Sequence, residues 1–185
     1  MKAWYFSGTD CRLRYGDGRV IEAGETHIVE CKPILCEQGL HGSVKPLDAL
    51  SFAPGPMVWR VELSGDLDIG DDKVAATSRK YLWGYDATDV LCKFARLCAL
   101  DVIHLWDAPE VVVRYLKTGD EPLRAAALEA TLEAAGGAAW SAARKKAWAA
   151  ARAAAWEAAR AAAWEAAWEK QNKRLYKMLM KGRTR

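Results

Sequence analysis

The residues best suited to ligand chemistry lie in the run Gly39-Leu40-His41-Gly42-Ser43. His41 stands between two glycines, and a backbone without a Cβ can approach a ligand closely. We therefore interpret His41 and Ser43 as candidate ligand-binding residues. A second interpretation stays open, in which the glycines only make a turn and His41 ends a strand.

Four further residues complete the candidate site. Lys73 follows two aspartates and could meet a phosphate as a point charge, although a solvated loop lysine fits the same pattern. Arg60 lies next to Trp59 in the sequence, and Trp59 or Trp4 could offer a ring for stacking, with a core position as the alternative for Trp59. The candidate ligand-binding residues are thus His41, Ser43, Arg60, Lys73, Trp4 and Trp59.

No catalytic or metal-binding motif accompanies these residues. The sequence contains no Ser-His-Asp elbow, phosphate loop or HExxH helix. Four aspartates crowd the segment 66–72, but the Gly and Glu positions of a calcium loop are missing. The sequence predicts a non-catalytic protein without a metal and without a cofactor.

The cysteines and the hydropathy indicate a cellular setting. Five cysteines are present, and neither Cys31-x4-Cys36 nor Cys92-x5-Cys98 has the spacing of a zinc site. No secretory signal precedes them, which favours free thiols in a reducing compartment. No apolar run reaches the roughly 20 residues needed to cross a bilayer. We expect a cytoplasmic protein that does not use a membrane.

Charge divides the chain into an acidic body and a basic tail. Residues 1–139 carry 15 Lys/Arg and 21 Asp/Glu, a net charge of −6, whereas residues 140–185 carry 12 and 3, a net of +9. A basic tail can bind nucleic acid, bind an anionic surface, or dock on the acidic part of a second copy.

The tail also contains a repeat, because Trp or Arg occupies every fourth position from Trp140 to Trp168 and alanine fills most of the rest. Alanine has the highest helix propensity, so the segment is predicted to be helical. A period of four drifts by about 40° per step around a helix of 3.6 residues per turn, so no single partner surface could cover all the indoles. We expect a homo-oligomeric helical bundle with contacts from Trp140, Trp148, Trp156, Trp164 and Trp168.

Short strands and turns are predicted through residue 85. A hairpin turn is expected at Gly16-Asp17-Gly18, a short helix at Pro46–Phe52 and an acidic loop at Gly65–Asp72. The aromatic or alternating segments that favour strands are Ala3–Phe6, Thr26–Val29, Ile34–Cys36 and Met57–Leu63.

From Asp86 onward the apolar spacing is that of helices. Asp86 and Asp107 have the pattern of N-caps, and Gly119 has that of a helix end. We therefore expect an α+β fold in three parts. They are a small β-rich ligand-binding domain at 1–85, short helices at 86–136, and a long Ala/Trp/Arg-rich assembly helix with a basic tail at 137–185.

The segment 36–50, CEQGLHGSVKPLDAL, resembles the signature of an uncharacterised domain family of phages and bacteria. Members of that family carry a CxxG(L/F)H motif, a PLDxL helix and a VELSG strand, and residues 61–65 read VELSG here. The stretch 98–109, CALDVIHLWDAP, and the Ala-, Arg- and Trp-rich tail are similar to phage-encoded members. The resemblance implies a phage-type protein that acts in the host cytoplasm.

The order of three elements is also similar to that in ADP-ribosyltransferase-like folds. They are the run Gly39–Ser43, the helix Pro46–Phe52 and the strand Met57–Leu63. This resemblance implies that His41 and Ser43 orient a nicotinamide riboside and that Glu62 stabilises oxocarbenium-like charge. The family's early ribose-binding His or Arg has no counterpart near residues 2–5, and no late strand carries a catalytic Glu.

The leading hypothesis is therefore a non-catalytic, phage-type binding protein. It would sequester a nucleotide-derived signal or a host protein through its N-terminal domain, which would make it an anti-defence protein, and the oligomer would multiply the sites. An ADP-ribosyltransferase-like or NAD-cleaving enzyme is one alternative. Nucleic-acid binding through the basic tail is another, less favoured because Lys and Arg concentrate at residues 170–185, beyond the Trp repeat.

Overall fold

The structure is a computed structural model that describes residues 1–105, 107–133 and 153–183, with side chains from residue 165 onward in the last of these ranges. It has an antiparallel sheet in the first 90 residues and helices after it, which confirms the predicted α+β class. The chain divides into two compact units, Met1–Leu91 with Asn172–Arg185, and Cys92–Gln171. The first unit therefore combines residues that are far apart in the sequence.

Five antiparallel strands form the sheet of the first unit, in the order β1-β4-β5-β2, with β3 also paired to β5. Backbone hydrogen bonds in both directions between Trp4 and Ser43 join the end of β3 to β1, so the sheet curls toward closure. The strands are β1 Lys2–Ser7, β2 Thr26–Ile28, β3 Leu40–Gly42, β4 Met57–Ile69 and β5 Val74–Asp86.

The β4–β5 hairpin is longer than predicted. Met57–Leu63 is a strand as expected, but the acidic loop predicted at Gly65–Asp72 is wrong, because β4 continues to Ile69. Gly65 has a φ of +76° at a bulge in the ladder, and a Cβ there would lie 2.0 Å from Thr77 Oγ1. This bulge lets pairing with β5 override the weak strand preference of the aspartates.

The segment Ile34–Cys36 is a turn rather than the predicted strand. Ile34 and Gln38 form an isolated bridge across it, and Cys36 adopts a φ of +67°. Because Ile34 pairs with Gln38 across this turn, the segment is not available to pair with a strand of the sheet. The predicted turn at residues 16–18 is present between the bridged residues Arg12 and Val20.

The described part of the chain has five α-helices outside the sheet: α1 Pro46–Ser51, α2 Thr88–Asp101, α3 Glu110–Thr118, α4 at residues 124–133 and α5 Ala153–Gly182. Short 3-10 helices occupy Ile103–Leu105 and Glu121–Leu123. Asp86 accepts hydrogen bonds from the backbone N–H and hydroxyl of Thr88, and Gly119 ends α3 with a φ of +71°. The prediction of Asp107 as an N-cap is wrong, because Pro109 takes that position.

The two faces of the sheet have different coverings. The inner face carries the core, which residues of the 8–25 segment help to fill: Ala3, Leu13, Ile21, Leu40, Trp59, Val61, Leu63, Val74, Ala76 and Tyr81. On the other, which we call the helix face, Trp4 packs edge-on against Trp83 and Tyr176, at 5.8 and 5.7 Å between ring centroids. Because Tyr176 belongs to α5, the last turns of that helix cover this face.

Two hydrogen bonds seat the end of α5 in the first unit. Asn172 Oδ1 accepts from the Leu47 N–H at 2.9 Å, and Tyr85 Oη donates to the Leu179 carbonyl at 2.8 Å. Leu179 is fully buried. The predicted helix end near residue 181 is confirmed. The predicted break at residues 136–137 and the start of the helix at 138 lie outside the described residues.

Candidate functional site

A cavity of about 650 Å³ opens in the first unit. This volume is within the range of cavities that bind small molecules. Its lining comes from β1, β3, β5, α1 and the loops before β2 and β3, and it comprises Trp4, Tyr5, Phe6, Leu13, Arg14, Tyr15, Asp17, Val29, Cys36, Glu37, Gln38, Gly39, Leu40, His41, Gly42, Ser43, Ala49, Phe52, Pro54, Lys73 and Arg79.

The most unusual group in the lining is Arg79, which is only 2% exposed. Its guanidinium carbon lies 3.8 Å from the centroid of the Tyr5 ring. Arg79 Nε donates to Tyr81 Oη at 2.9 Å and Nη1 donates to the His41 carbonyl at 2.5 Å. A guanidinium has five N–H groups, so three of them, including both on Nη2, make no hydrogen bond to any described residue. Within the described residues no carboxylate forms an ion pair with this cation.

A buried polar chain holds Arg79 in place. Tyr81 Oη accepts from Arg79, so its own proton is directed at His27 Nδ1, 3.1 Å away. His27 then carries its proton on Nε2, which is 3.7 Å from Glu25. Burial lowers the pKa of His27 and raises that of Tyr81, so both are neutral at pH 7. The guanidinium is thus fixed by neutral partners.

His41 also lines the cavity, and one of its ring nitrogens is an unused hydrogen-bond acceptor. Its Nδ1–H donates to the Gly39 carbonyl at 3.1 Å, so Nε2 carries the lone pair. Nε2 is buried and has no partner among the described residues. Burial lowers the pKa of His41, and the charges of Arg79 and Lys73 lower it further. His41 is therefore a neutral acceptor at pH 7.

The two glycines beside His41 are explained by packing. Gly39 has a φ of +106°, and a Cβ on Gly42 would lie 3.2 Å from the Trp4 carbonyl and 3.3 Å from the Ala3 side chain. Both positions therefore favour glycine whether or not a ligand binds. The glycines therefore do not by themselves indicate a ligand site.

Aromatic side chains line the exposed part of the cavity. Tyr15 is 100% exposed, with the Arg14 guanidinium 5.9 Å from its ring centroid. Phe52 is 52% exposed, with Lys73 Nζ 4.1 Å from its ring centroid. Tyr15 and Cys36, both in the lining, have positive φ angles of 60° and 67°. Such strain in non-glycine residues tends to cluster at functional sites.

The structure brings four of the six predicted ligand-binding residues to this cavity. They are His41, Ser43, Lys73 and Trp4, of which Ser43 and Trp4 are almost completely buried. The Trp4 ring is buried against Trp83 and Tyr176. Its indole therefore borders the cavity but has no exposed face on which a ligand could stack.

Arg60 and Trp59 do not line the cavity. Arg60 lies on the helix face, with its guanidinium 4.7 Å from the centroid of the Trp4 ring. Trp59 is a core residue whose Nε1–H donates to Ser7 Oγ at 2.9 Å. Trp59 therefore occupies a core position, which was the alternative to a stacking role for this residue.

Sequence reasoning missed Arg79 because residues 77–85 were not interpreted as a strand. The run Tyr81-Leu82-Trp83-Gly84-Tyr85 is rich in aromatic residues that favour strands. A strand here places Arg79 on the same face as Tyr81, two residues later. An arginine directed at a core face was the available signal.

The predicted oligomerisation residues are only partly described. Trp140 and Trp148 lie outside the described residues, and for Trp156 and Trp164 only the helical backbone is described. Trp168 is half-buried in α5. The homo-oligomer thus stays a prediction.

Residues 10–93 match the family model described as a domain of unknown function, DUF7666. The matched region includes the whole cavity lining except three residues of β1. This agrees with the expectation of an uncharacterised domain family. No curated protein and no solved structure matches the chain.

The described residues contain neither a metal-binding cluster nor a membrane-spanning helix. No group of three or more His, Cys, Asp or Glu side chains there is arranged to hold a metal ion. Likewise, none of the described helices combines the length and the apolar character needed to span a membrane.

Proposed function

We propose that the first unit binds a small, nucleotide-derived anion in this cavity and does not turn it over. The observation that carries the proposal is Arg79, a cation that is almost completely buried, borders a cavity and has no carboxylate partner in the described chain. An uncompensated buried charge is costly, and a phosphate or carboxylate on Nη2 would compensate it with charge-assisted hydrogen bonds.

The other polar groups favour a phosphorylated sugar over a simple anion. Lys73 adds a second positive charge to the lining. His41 Nε2 is buried beside this lining and can only accept a hydrogen bond, so a ligand group that reached it would have to be a donor such as a ribose hydroxyl rather than a phosphate oxygen. A nucleotide contains both groups, and a cavity of about 650 Å³ is large enough for one.

The carboxylates support binding rather than turnover. Glu62, which NAD cleavage would need, is exposed and does not line the cavity. Asp17 does line it, but both of its oxygens accept hydrogen bonds from Arg19 at 2.7 Å, and this interaction lowers the pKa of Asp17. Glu37 is an exposed loop residue. The ADP-ribosyltransferase-like alternative therefore lacks a well-placed catalytic carboxylate among the described residues.

Binding without turnover suits a protein that removes a signal from solution. The resemblance of the sequence to phage-encoded proteins supports a biological version of this proposal, in which the ligand is a nucleotide-derived immune signal and the protein counters host defence. If the partner is a host protein instead, none of the nucleotides tested should bind in the cavity.

Isothermal titration calorimetry of the full chain tests the proposal, with AMP, ADP, NAD, ADP-ribose, cyclic nucleotides and inorganic phosphate as probes. At least one nucleotide should bind. Arg79→Gln should weaken that binding about 10- to 100-fold, as expected for loss of charge-assisted hydrogen bonds. Arg60→Gln, which changes an arginine that packs on the Trp4 ring outside the cavity, should leave binding unchanged.

The same samples separate binding from catalysis. Incubation with NAD should release no nicotinamide. Release that is abolished by His41→Ala, with an unchanged circular dichroism spectrum, would replace the proposal by the enzyme alternative. Absence of binding by every nucleotide of the panel would refute the proposal.

A further inference from the structure

The loop that carries Tyr15 is ordered by hydrogen bonds and holds this side chain in solvent. Tyr15 is 100% exposed and has a φ of +60°, which is uncommon for a residue with a side chain. The surrounding loop is hydrogen-bonded across its base, from the Leu13 N–H to the Arg19 carbonyl at 2.9 Å and from Arg12 Nη1 to the Gly18 carbonyl at 2.8 Å. A large apolar ring is thus held in solvent by an ordered turn.

Phe52 presents a second ring to the same cavity. It follows α1 directly and is half exposed, although an apolar ring would be more stable in the core. Each of the two rings has a cation beside it, Arg14 at Tyr15 and Lys73 at Phe52. An aromatic ring with a cation beside it suits a ligand that combines a flat heterocycle with a phosphate.

The lining therefore has a buried part and an exposed part that differ chemically. Arg79, at 2% exposure, belongs to the buried part, and the rings of Tyr15 and Phe52 belong to the exposed part. We infer that the ligand is an aromatic nucleotide whose phosphate binds at Arg79 and whose base stacks on Tyr15 and Phe52. This inference rests on the proposed function and adds the requirement for a base.

A base-free counterpart of the ligand provides the test. AMP and ribose 5-phosphate share the sugar phosphate, so the ratio of their dissociation constants measures what the base contributes. The wild-type chain should bind AMP on the order of 10- to 100-fold more tightly, the range expected for stacking of one base.

Two variants assign that ratio to the rings. Tyr15→Asn removes the ring and keeps a residue that tolerates a positive φ, and Phe52→Leu keeps an apolar side chain without a flat face. Each should lower the ratio, and the double variant should bring it close to one while ribose 5-phosphate binds as before. Ile28→Asn, at an exposed apolar residue outside the lining, is the matched control and should not change the ratio.

The outcomes separate this inference from the proposed function. An equal affinity of the wild-type chain for AMP and ribose 5-phosphate, or a ratio unaffected by both variants, overturns the inference while Arg79-dependent phosphate binding stands. If neither compound binds, the inference is also overturned, and the nucleotide panel decides whether the proposed function survives. Loss of a host-protein contact in the double variant with unchanged AMP binding would assign the rings to a protein interface and overturn the inference.

Discussion

Two arginines lie on aromatic rings on opposite faces of the same sheet. Arg79 is 3.8 Å from the Tyr5 ring centroid on the inner face, and Arg60 is 4.7 Å from the Trp4 ring centroid on the helix face. Neither forms an ion pair with a carboxylate of the described chain. Only Arg79 borders the cavity. Arg60 is beside Tyr176 of α5, and burial lowers the pKa of Arg60.

The comparison teaches that packing on a ring does not by itself distinguish a binding arginine from a structural one. A π-face stabilises a cation in either role. The difference is access, since Arg79 has unused N–H groups at a cavity wall and Arg60 is covered by a helix. We expect both faces to contribute to stability but only the inner face to determine binding, and four measurements test that division.

The largest change in stability should come from the helix face. Leu179→Ala removes a fully buried side chain from the helix turns that cover it. The free energy of unfolding in urea should fall by about 2–5 kcal/mol, the usual effect of such a truncation. Lys177→Ala, an exposed position on the same helix, should change it by less than about 0.5 kcal/mol. A Leu179 effect as small as that of Lys177 would mean that α5 does not stabilise the first unit.

Replacement of each arginine by methionine compares the two sites directly. Arg79→Met should lower the free energy of unfolding by about 1–3 kcal/mol, because Tyr81 Oη and the His41 carbonyl each lose a donor. Arg60→Met leaves no acceptor without its donor in the described structure, so stability should change by about 1 kcal/mol or less.

Calorimetry on the same two variants supplies the second half of that comparison. Nucleotide binding should be lost only in Arg79→Met. If Arg60→Met weakens binding equally, the division between the faces is wrong.

The pH dependence of stability should belong to the inner face. Burial lowers the pKa of both His27 and His41, so just below pH 6.5 the unfolded chain binds more protons than the folded chain. The stabilisation is therefore complete above about pH 6.5 and is lost as the pH falls toward the lower pKa values of the folded state.

Urea unfolding between pH 5 and 7.5 measures this slope. Besides burial, the groups that influence the pKa of His27 are Arg19, Glu25, Arg79 and Asp17. Those that influence the pKa of His41 are the Gly39 carbonyl, Arg79, Lys73 and Asp68. His27→Asn and His41→Asn should each flatten the slope, and His104→Asn, at an exposed histidine, should not. An unchanged slope in both inner-face variants would contradict the assignment.

The smallest effect on the first unit should come from the tryptophan repeat. Replacement of Trp140, Trp148, Trp156, Trp164 and Trp168 by alanine keeps the helix propensity and removes the expected contacts between copies. Light scattering should show a smaller assembly, while nucleotide binding stays the same. A wild-type chain that is already monomeric would refute the predicted oligomer.

Local patterns predicted much of this fold. Alternation indicated β4, proline and apolar spacing indicated α1, and the Asp86 side chain does bond at the start of α2. What failed depends on how neighbouring segments pair, which the composition of one segment does not show. Asp66 and Asp68 are poor strand residues locally, and only the ladder with β5 makes their segment a strand.

The candidate site shows the same limit. His41, Ser43 and Lys73 were found from short-range context, and the structure brings all three to one cavity. Arg79 was missed because residues 77–85 were not interpreted as a strand. Arg60 was chosen from a predicted strand, and only the tertiary structure shows that a helix covers it. The cover is residue 172 onward, more than 100 positions from Arg60, which no local pattern reports.

The seating of Asn172 on Leu47 also sets an order of events during synthesis. The ribosome makes about 80 residues between Leu91 and Asn172, which takes roughly 4–16 s at 5–20 residues per second. Throughout that interval Tyr176 and Arg183, which contact Trp4 and Trp83 in the finished protein, do not yet exist. The first unit can therefore be completed only after nearly the whole chain has been made, when residues 172–183 become available to cover the two indoles.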